Sequence, residues 1–143
     1  KNTIKAKFKE FKKFHLLSAG KSTRPNKTWE IMLKKIYDSE ANLFYLDLDG
    51  KSVSFLYCAK FFDFAWGWSQ VNLRKYENIS PRHFLEWQAM KYYKDNHFHF
   101  YEIGERFYPQ EKFKPTIKEL SISEFKEKYG SDRYPKAFFR IEV

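Results

Sequence analysis

At 143 residues, with 43% hydrophobic and 21% aromatic content, the chain has the size of one ordinary domain and enough rings to fill a packed core, which excludes a disordered segment. Its 27 Lys and Arg against 18 Asp and Glu leave a net charge of +9, so its partners are sought among anions: nucleic acid, phosphorylated small molecules or an anionic surface. The lone Cys58 excludes an intrachain disulfide, no apolar run approaches the ~18 residues of a membrane span, and no signal-peptide pattern is visible; a cytoplasmic location is expected.

Residues 3–15 place Ile4, Phe8, Phe11 and His15 at helical spacing, with lysines at the intervening positions, and read as a first helix. A loop over 18–26 separates it from a second helix near 28–38 that carries Trp29, Met32, Leu33 and Ile36. Phe44, Leu46 and Leu48 then alternate with Tyr45 and Asp47, and Asp49-Gly50 supplies a type I′ hairpin turn. The return strand alternates Val53, Phe55, Tyr57 and Ala59 against Ser52, Ser54, Leu56 and Cys58. A third strand is expected to set Phe62, Phe64, Trp66 and Trp68 on one face.

Ser80-Pro81 predicts a helix start, with a hydroxyl cap and proline at the first helical position, and the helix is expected to run to about Asn96. Residues 97–103 read as a strand closed by Gly104. Ser121-x-x-Glu124 matches a capping box for a short helix through Tyr129, stopped by Gly130, and a last strand is expected over 137–143. The order α-α-β-β-β-α-β-α-β predicts an α+β class: an antiparallel three-strand meander with further strands in a mixed sheet, flanked by helices.

The chemistry-bearing residues are few. Gly20-Lys21-Ser22 lacks the upstream glycine and strand of a phosphate loop, which removes nucleotide hydrolysis; Lys21, Arg24 and Lys27 still crowd a connector that could hold a phosphate or carboxylate, or be only a solvated connector. His97 and His99 share a strand face, but His15 and His83 are distant and no second Cys exists, so no metal is expected. Cys58 lies in an apolar run that raises a thiol pKa and reads as a core residue rather than a nucleophile. Glu102, near the carboxyl end of its strand, is a candidate general base for an amine, or else a partner for a neighbouring cation.

Several segments resemble one family in order and spacing: Ala19-Gly20-Lys21-Ser22-Thr23-Arg24 leading to Thr28-Trp29, then 83–94 (HFLEWQAMKYYK), Tyr101-Glu102-Ile103-Gly104, and Phe125-Lys126-Glu127-Lys128-Tyr129-Gly130. They resemble the Fem-type aminoacyltransferases that build peptidoglycan bridges, and the wider Fem-like group with the GNAT acyltransferase fold. The resemblance implies one GNAT-like domain over 1–143, from a longer chain and without that fold's usual first strand, together with a second such domain in the parent. It implies N-acyl transfer to an amine of a cell-envelope precursor, peptidoglycan or surface polysaccharide. The donor would be aminoacyl-tRNA or acyl-CoA, with no tightly bound cofactor.

By the same resemblance Lys126 contacts substrate at the reaction centre, with Glu102 as the second catalytic candidate. Lys21, Arg24, Trp87, Tyr101 and Phe125 are the substrate-binding candidates, and the partners an anionic small-molecule or lipid-linked substrate or tRNA. The glycine-rich pyrophosphate loop of acyl-CoA enzymes is missing: no two of the five glycines stand close enough to make it. Two alternatives remain open: an acyl-CoA-dependent sugar N-acyltransferase, and a non-catalytic module that binds RNA or a partner through a basic, aromatic surface.

Overall fold

A computed structural model describes residues 2–130 and 132–135. It divides into two compact units, residues 1–103 and 104–143. The elements are α1 (Asn2–Ala19), α2 (Asn26–Tyr37), β1 (Ala41–Leu48), β2 (Lys51–Phe61), β3 (Phe64–Asn72), a 3-10 turn (Arg74–Ile79), α3 (Pro81–Asp95), β4 (Phe100–Glu102) and α4 (Ile117–Glu127). The last expected strand lies outside the described residues.

In the first unit the four strands form one sheet in the order β1-β2-β3-β4, the first three antiparallel and β4 parallel to β3. The β1–β2 hairpin turns where expected, with Asp49 and Gly50 both at positive φ (51° and 72°), as a type I′ turn requires. β2 is buried on both faces because helices cover both. Phe55, Tyr57 and Ala59 meet Phe8, Phe11, Phe14, Trp29 and Met32 of α1 and α2; Leu56 and Cys58 meet Leu85, Ala89 and Tyr93 of α3. The period-2 alternation read along β2 therefore divides two cores, one on each side of the sheet.

Three local readings are corrected. Phe62 is not in the third strand: it sits at φ 52° in the β2–β3 turn, and β3 begins at Phe64. A bulge then sets Tyr57 opposite Ser69 and Cys58 opposite Gly67, so Trp68 is the extra residue and the facing of β3 inverts beyond it. Trp66 packs with the α1/α2 core before the bulge and Val71 after it. The strand expected over 97–103 shrinks to Phe100–Glu102, because His97 takes φ 63° and the amides of His99 and Phe100 both donate to the Asp63 carbonyl at the β2–β3 turn.

α3 starts at Pro81 as expected, but the Ser80 side chain makes no capping bond; Ser80 itself adopts a left-handed conformation at φ 48°. In the second unit, α4 opens four residues before the expected box. Thr116-x-x-Glu119 matches the same pattern, and both of its reciprocal bonds are made, the Thr116 side chain accepting from the Glu119 amide and the Glu119 carboxylate from the Thr116 amide. The upstream box follows Pro115, which cannot sit inside the helix, so the first turn forms there.

Candidate active site

The ladder between β3 and β4 is three residues long: Phe64 with Phe100, Ala65 with Tyr101, Trp66 with Glu102. β3 then runs on to Asn72 in its pairing with β2. β4 ends at Glu102, so the ladder stops at the Trp66–Glu102 pair while β3 runs on, and the carboxyl ends of parallel strands are the position at which open α/β sheets bind ligands.

A polar string lies on the α3 face of the sheet beside this ladder. The Tyr101 hydroxyl donates to Glu86 Oε1 at 2.6 Å, and its oxygen lies 3.5 Å from Cys58 Sγ. Glu86 is only 8% exposed, and the string depends on the bareness of Gly67: a Cβ there would stand 2.7 Å from Glu86 Oε1 and 3.1 Å from the Tyr101 oxygen. Burial first, then the neighbouring Cys58 and Glu86, push the Tyr101 hydroxyl far above the usual tyrosine range, so it keeps its proton and serves as a donor. Burial likewise pushes the Cys58 thiol up to about 12, which leaves it no nucleophilic thiolate at neutral pH. Nearby, Tyr93 donates to Asn42 Oδ1 at 2.9 Å.

Toward the start of α3, Arg82 Nε donates to Gln70 Oε1 at 2.8 Å and Gln70 Nε2 donates back to the Arg82 carbonyl at 3.0 Å. This reciprocal pair ties the first turn of α3 to the far end of β3. It orients the helix so that its opening amides, with Arg82 and His83 beside them, sit where the strand ends; such a terminus suits a negative group.

The sequence candidates are distributed as follows. Tyr101 belongs to the polar string, whereas Glu102 pairs in register with Trp66 and so by alternation takes the other face of the sheet. Trp87 lies half-exposed on α3. Arg24 turns inward: its Nη2 donates to Ser69 Oγ at 2.9 Å, and its guanidinium lies over the Trp29 ring at 5.1 Å, while Lys21 is exposed. Ser69 in turn reaches His15 Nε2 at 3.1 Å, and burial, then Arg24, lowers that imidazole to a pKa of about 4. With His15 neutral, Ser69 accepts from Arg24 and donates to the ring. His99 bonds to Asp63 at 2.8 Å, and among the described residues no three His, Cys, Asp or Glu side chains gather as a metal site would need.

In the second unit, considered by itself, Phe125 packs its ring against Tyr129, and the Lys126 ammonium lies over Gly104, so close that a Cβ on that glycine would meet Nζ at 2.2 Å. Gly104 also holds φ 108°. Sequence reasoning missed Glu86, although a signal was present: it falls on the buried stripe of Leu85, Ala89 and Tyr93, where a carboxyl group is out of place.

No protein-family model and no curated protein sequence matches the chain. Among solved structures it is similar to AAC(6')-Iy in complex with the bisubstrate analog CoA-S-monomethyl-acetylneamine, with a TM-score of 0.67 at 9% identity over 97% of this chain and 93% of that one. It is also similar to a possible acetyltransferase from Clostridium difficile 630, with a TM-score of 0.65 at 13% identity over 95% of this chain and 91% of that one. At such identities the likeness is one of fold: this is the mixed-sheet α+β fold of GNAT acetyltransferases.

Proposed function

We propose that the chain is an N-acyltransferase that moves an acyl group from a thioester of coenzyme A to an amine of an anionic cell-envelope precursor, in the cytoplasm. The observation that carries the reading is the three-residue parallel β3–β4 ladder in a GNAT fold, with the buried Tyr101–Glu86 string on the α3 face beside it. The amine nitrogen attacks the thioester carbonyl carbon; the C–N bond forms, the C–S bond breaks, and the thiolate leaves while the new ammonium gives up a proton. Such chemistry asks chiefly for alignment, a donor to the carbonyl oxygen and a proton acceptor.

Glu102, on the α1/α2 face of the sheet, is the proposed acceptor of the amine proton. Lys126 is the proposed cation that offsets charge gathering on the substrate. The segment 73–80 has no glycine, so the donor pyrophosphate would rest on the first amides of α3 and on Arg82 and His83 in place of a glycine loop. The AAC(6')-Iy structure, which holds a coenzyme A analog, favours the thioester donor. The same missing loop favours a second reading, transfer of an aminoacyl group from tRNA, in line with the Fem-type motif order.

The two are told apart by product analysis with acyl-coenzyme A and aminoacyl-tRNA offered in parallel to an amine-bearing envelope precursor. Lys126→Ala is expected to slow transfer by about a hundredfold, equivalent to ~3 kcal/mol, with the fold unaltered. Lys128→Ala, the charge-matched change two residues on, is expected to do little. Equal, slight losses from both changes would reduce Lys126 to general positive charge, and no product from either donor would leave the binding-module reading standing.

A further inference from the structure

A cleft lies between α1 and the connector to α2. It encloses about 400 Å³ and is lined by Lys9, Lys12, Lys13, Leu16, Ser22, Thr23 and Trp29. α1 turns Phe8, Phe11 and Phe14 into the core, so Lys9, Lys12 and Lys13, three and four residues apart, share the outward face. Among the described residues no carboxyl group lines the cleft, and three like charges within about one helical turn repel one another until an anion joins them.

The connector is held in place for this role. Arg24 is fastened to Ser69 and over Trp29, which pins the loop to the body of the unit. Its Nη1 also donates to Thr23 Oγ1 at 3.3 Å, so that hydroxyl, already accepting, has its own proton to give outward. Ser22 Oγ donates to the Arg24 carbonyl at 2.9 Å, which ties the connector to itself, while Lys12 is steadied on the rim by Asn26 Oδ1 at 2.9 Å. The feature read from the sequence as a cluster of Lys21, Arg24 and Lys27 is thus divided: Arg24 is the anchor, and the converging cations belong to α1.

We infer that this cleft binds a small phosphorylated ligand, its phosphate among Lys9, Lys12, Lys13 and Thr23 and its less polar part against Leu16 and the edge of Trp29. A nucleic-acid strand fits less well. The lysine face runs back through Lys5 but stops at Leu16 and Leu17, which are 51% and 62% exposed, and the cleft, at about 400 Å³, has room for a small ligand rather than a continuing strand. The inference is independent of the acyl-transfer reading, and the site sits on α1 and its connector rather than at the strand ends.

The test is calorimetric titration with inorganic pyrophosphate in the presence of saturating coenzyme A, so that any donor site is already filled. The wild-type chain should bind, with affinity falling as salt rises. The double variant Lys9→Gln/Lys13→Gln should bind at least tenfold more weakly with a flatter salt dependence, and Thr23→Val, which keeps the shape and removes the hydroxyl, should also weaken binding. The double variant Lys51→Gln/Lys94→Gln, with the same loss of charge elsewhere on the surface, should bind as wild type. Unchanged affinity in Lys9→Gln/Lys13→Gln or in Thr23→Val overturns the proposal, as does loss of equal size in the control. An RNA oligomer that displaces pyrophosphate with affinity rising with its length would also overturn it, and would make the face a nucleic-acid track.

Discussion

The two faces of the sheet are built on different terms. Toward α1 and α2 the core is a set of rings in edge-to-face and tilted contact: Phe14 against Phe55 at 5.0 Å, Phe11 against Trp29 at 5.7 Å and against Phe55 at 5.9 Å. Toward α3 the packing is thinner, with Leu85, Ala89 and Tyr93 over Leu56, Cys58 and Ala65, and it encloses a carboxyl group. Burying such a group costs stability unless it is bonded, and here it accepts from the Tyr101 hydroxyl. One face is organised for cohesion, the other keeps polar groups beside the short β3–β4 ladder.

This contrast is broken most strongly from its cohesive side. Phe55 is fully buried against the Phe11 and Phe14 rings of α1, and Phe55→Ala should cost ~3–5 kcal/mol of stability, read from urea unfolding. On the other face Gly67→Ala should cost less, about 1–3 kcal/mol, because the added methyl drives Glu86 from Tyr101. Combined with Glu86→Ala its effect should shrink, since the atom it collides with is gone; a fully additive double variant would show that the glycine serves another purpose.

Glu86→Gln sharpens the comparison. The amide can still accept from Tyr101 while the buried charge disappears, so stability should change by less than ~1.5 kcal/mol in either direction. Acyl transfer should nevertheless fall, if the string shapes the proposed site. A large loss of stability would instead place Glu86 among the groups that hold the fold together.

The smallest effect is a pH dependence from the cohesive face. His15 titrates near 6.5 when unfolded and about 4 when folded, so the unfolded chain takes up the proton first. The stability that neutral His15 contributes is therefore complete above pH 6.5 and lost as pH falls toward 4; partial exposure of the ring keeps the loss modest. His15→Gln should flatten the unfolding midpoint across that window, and an unchanged slope would assign it to carboxylates.

Much of this was legible along the chain. Alternation in β1 and β2, the Asp49-Gly50 turn and Pro81 at the start of α3 are local patterns, and each formed where local chemistry placed it. What was not legible depends on distant partners. The bulge at Trp68 arises from the register with β2, and the shortness of β4 from its capture by Asp63. Arg24 reads as a solvent-facing cation until Ser69 is brought to it by β3. Two capping boxes five residues apart match equally well as patterns, and only the proline before the first decides between them. Of the site, Tyr101 was named and Glu86 was not, because a stripe is ordinarily scanned for its apolar members.

The most direct test of the acyl-transfer account is an amide-resolved NMR titration of the chain with coenzyme A. The account predicts saturable shifts confined to the β3 amides beyond Trp66, to the β4 amides and to the first turn of α3 at Arg82 and His83, with Gly67 among the largest. Shifts gathered elsewhere, or none at coenzyme A concentrations that saturate ordinary acetyltransferases, would contradict it and turn attention to an aminoacyl-tRNA donor or to a module that binds without catalysis.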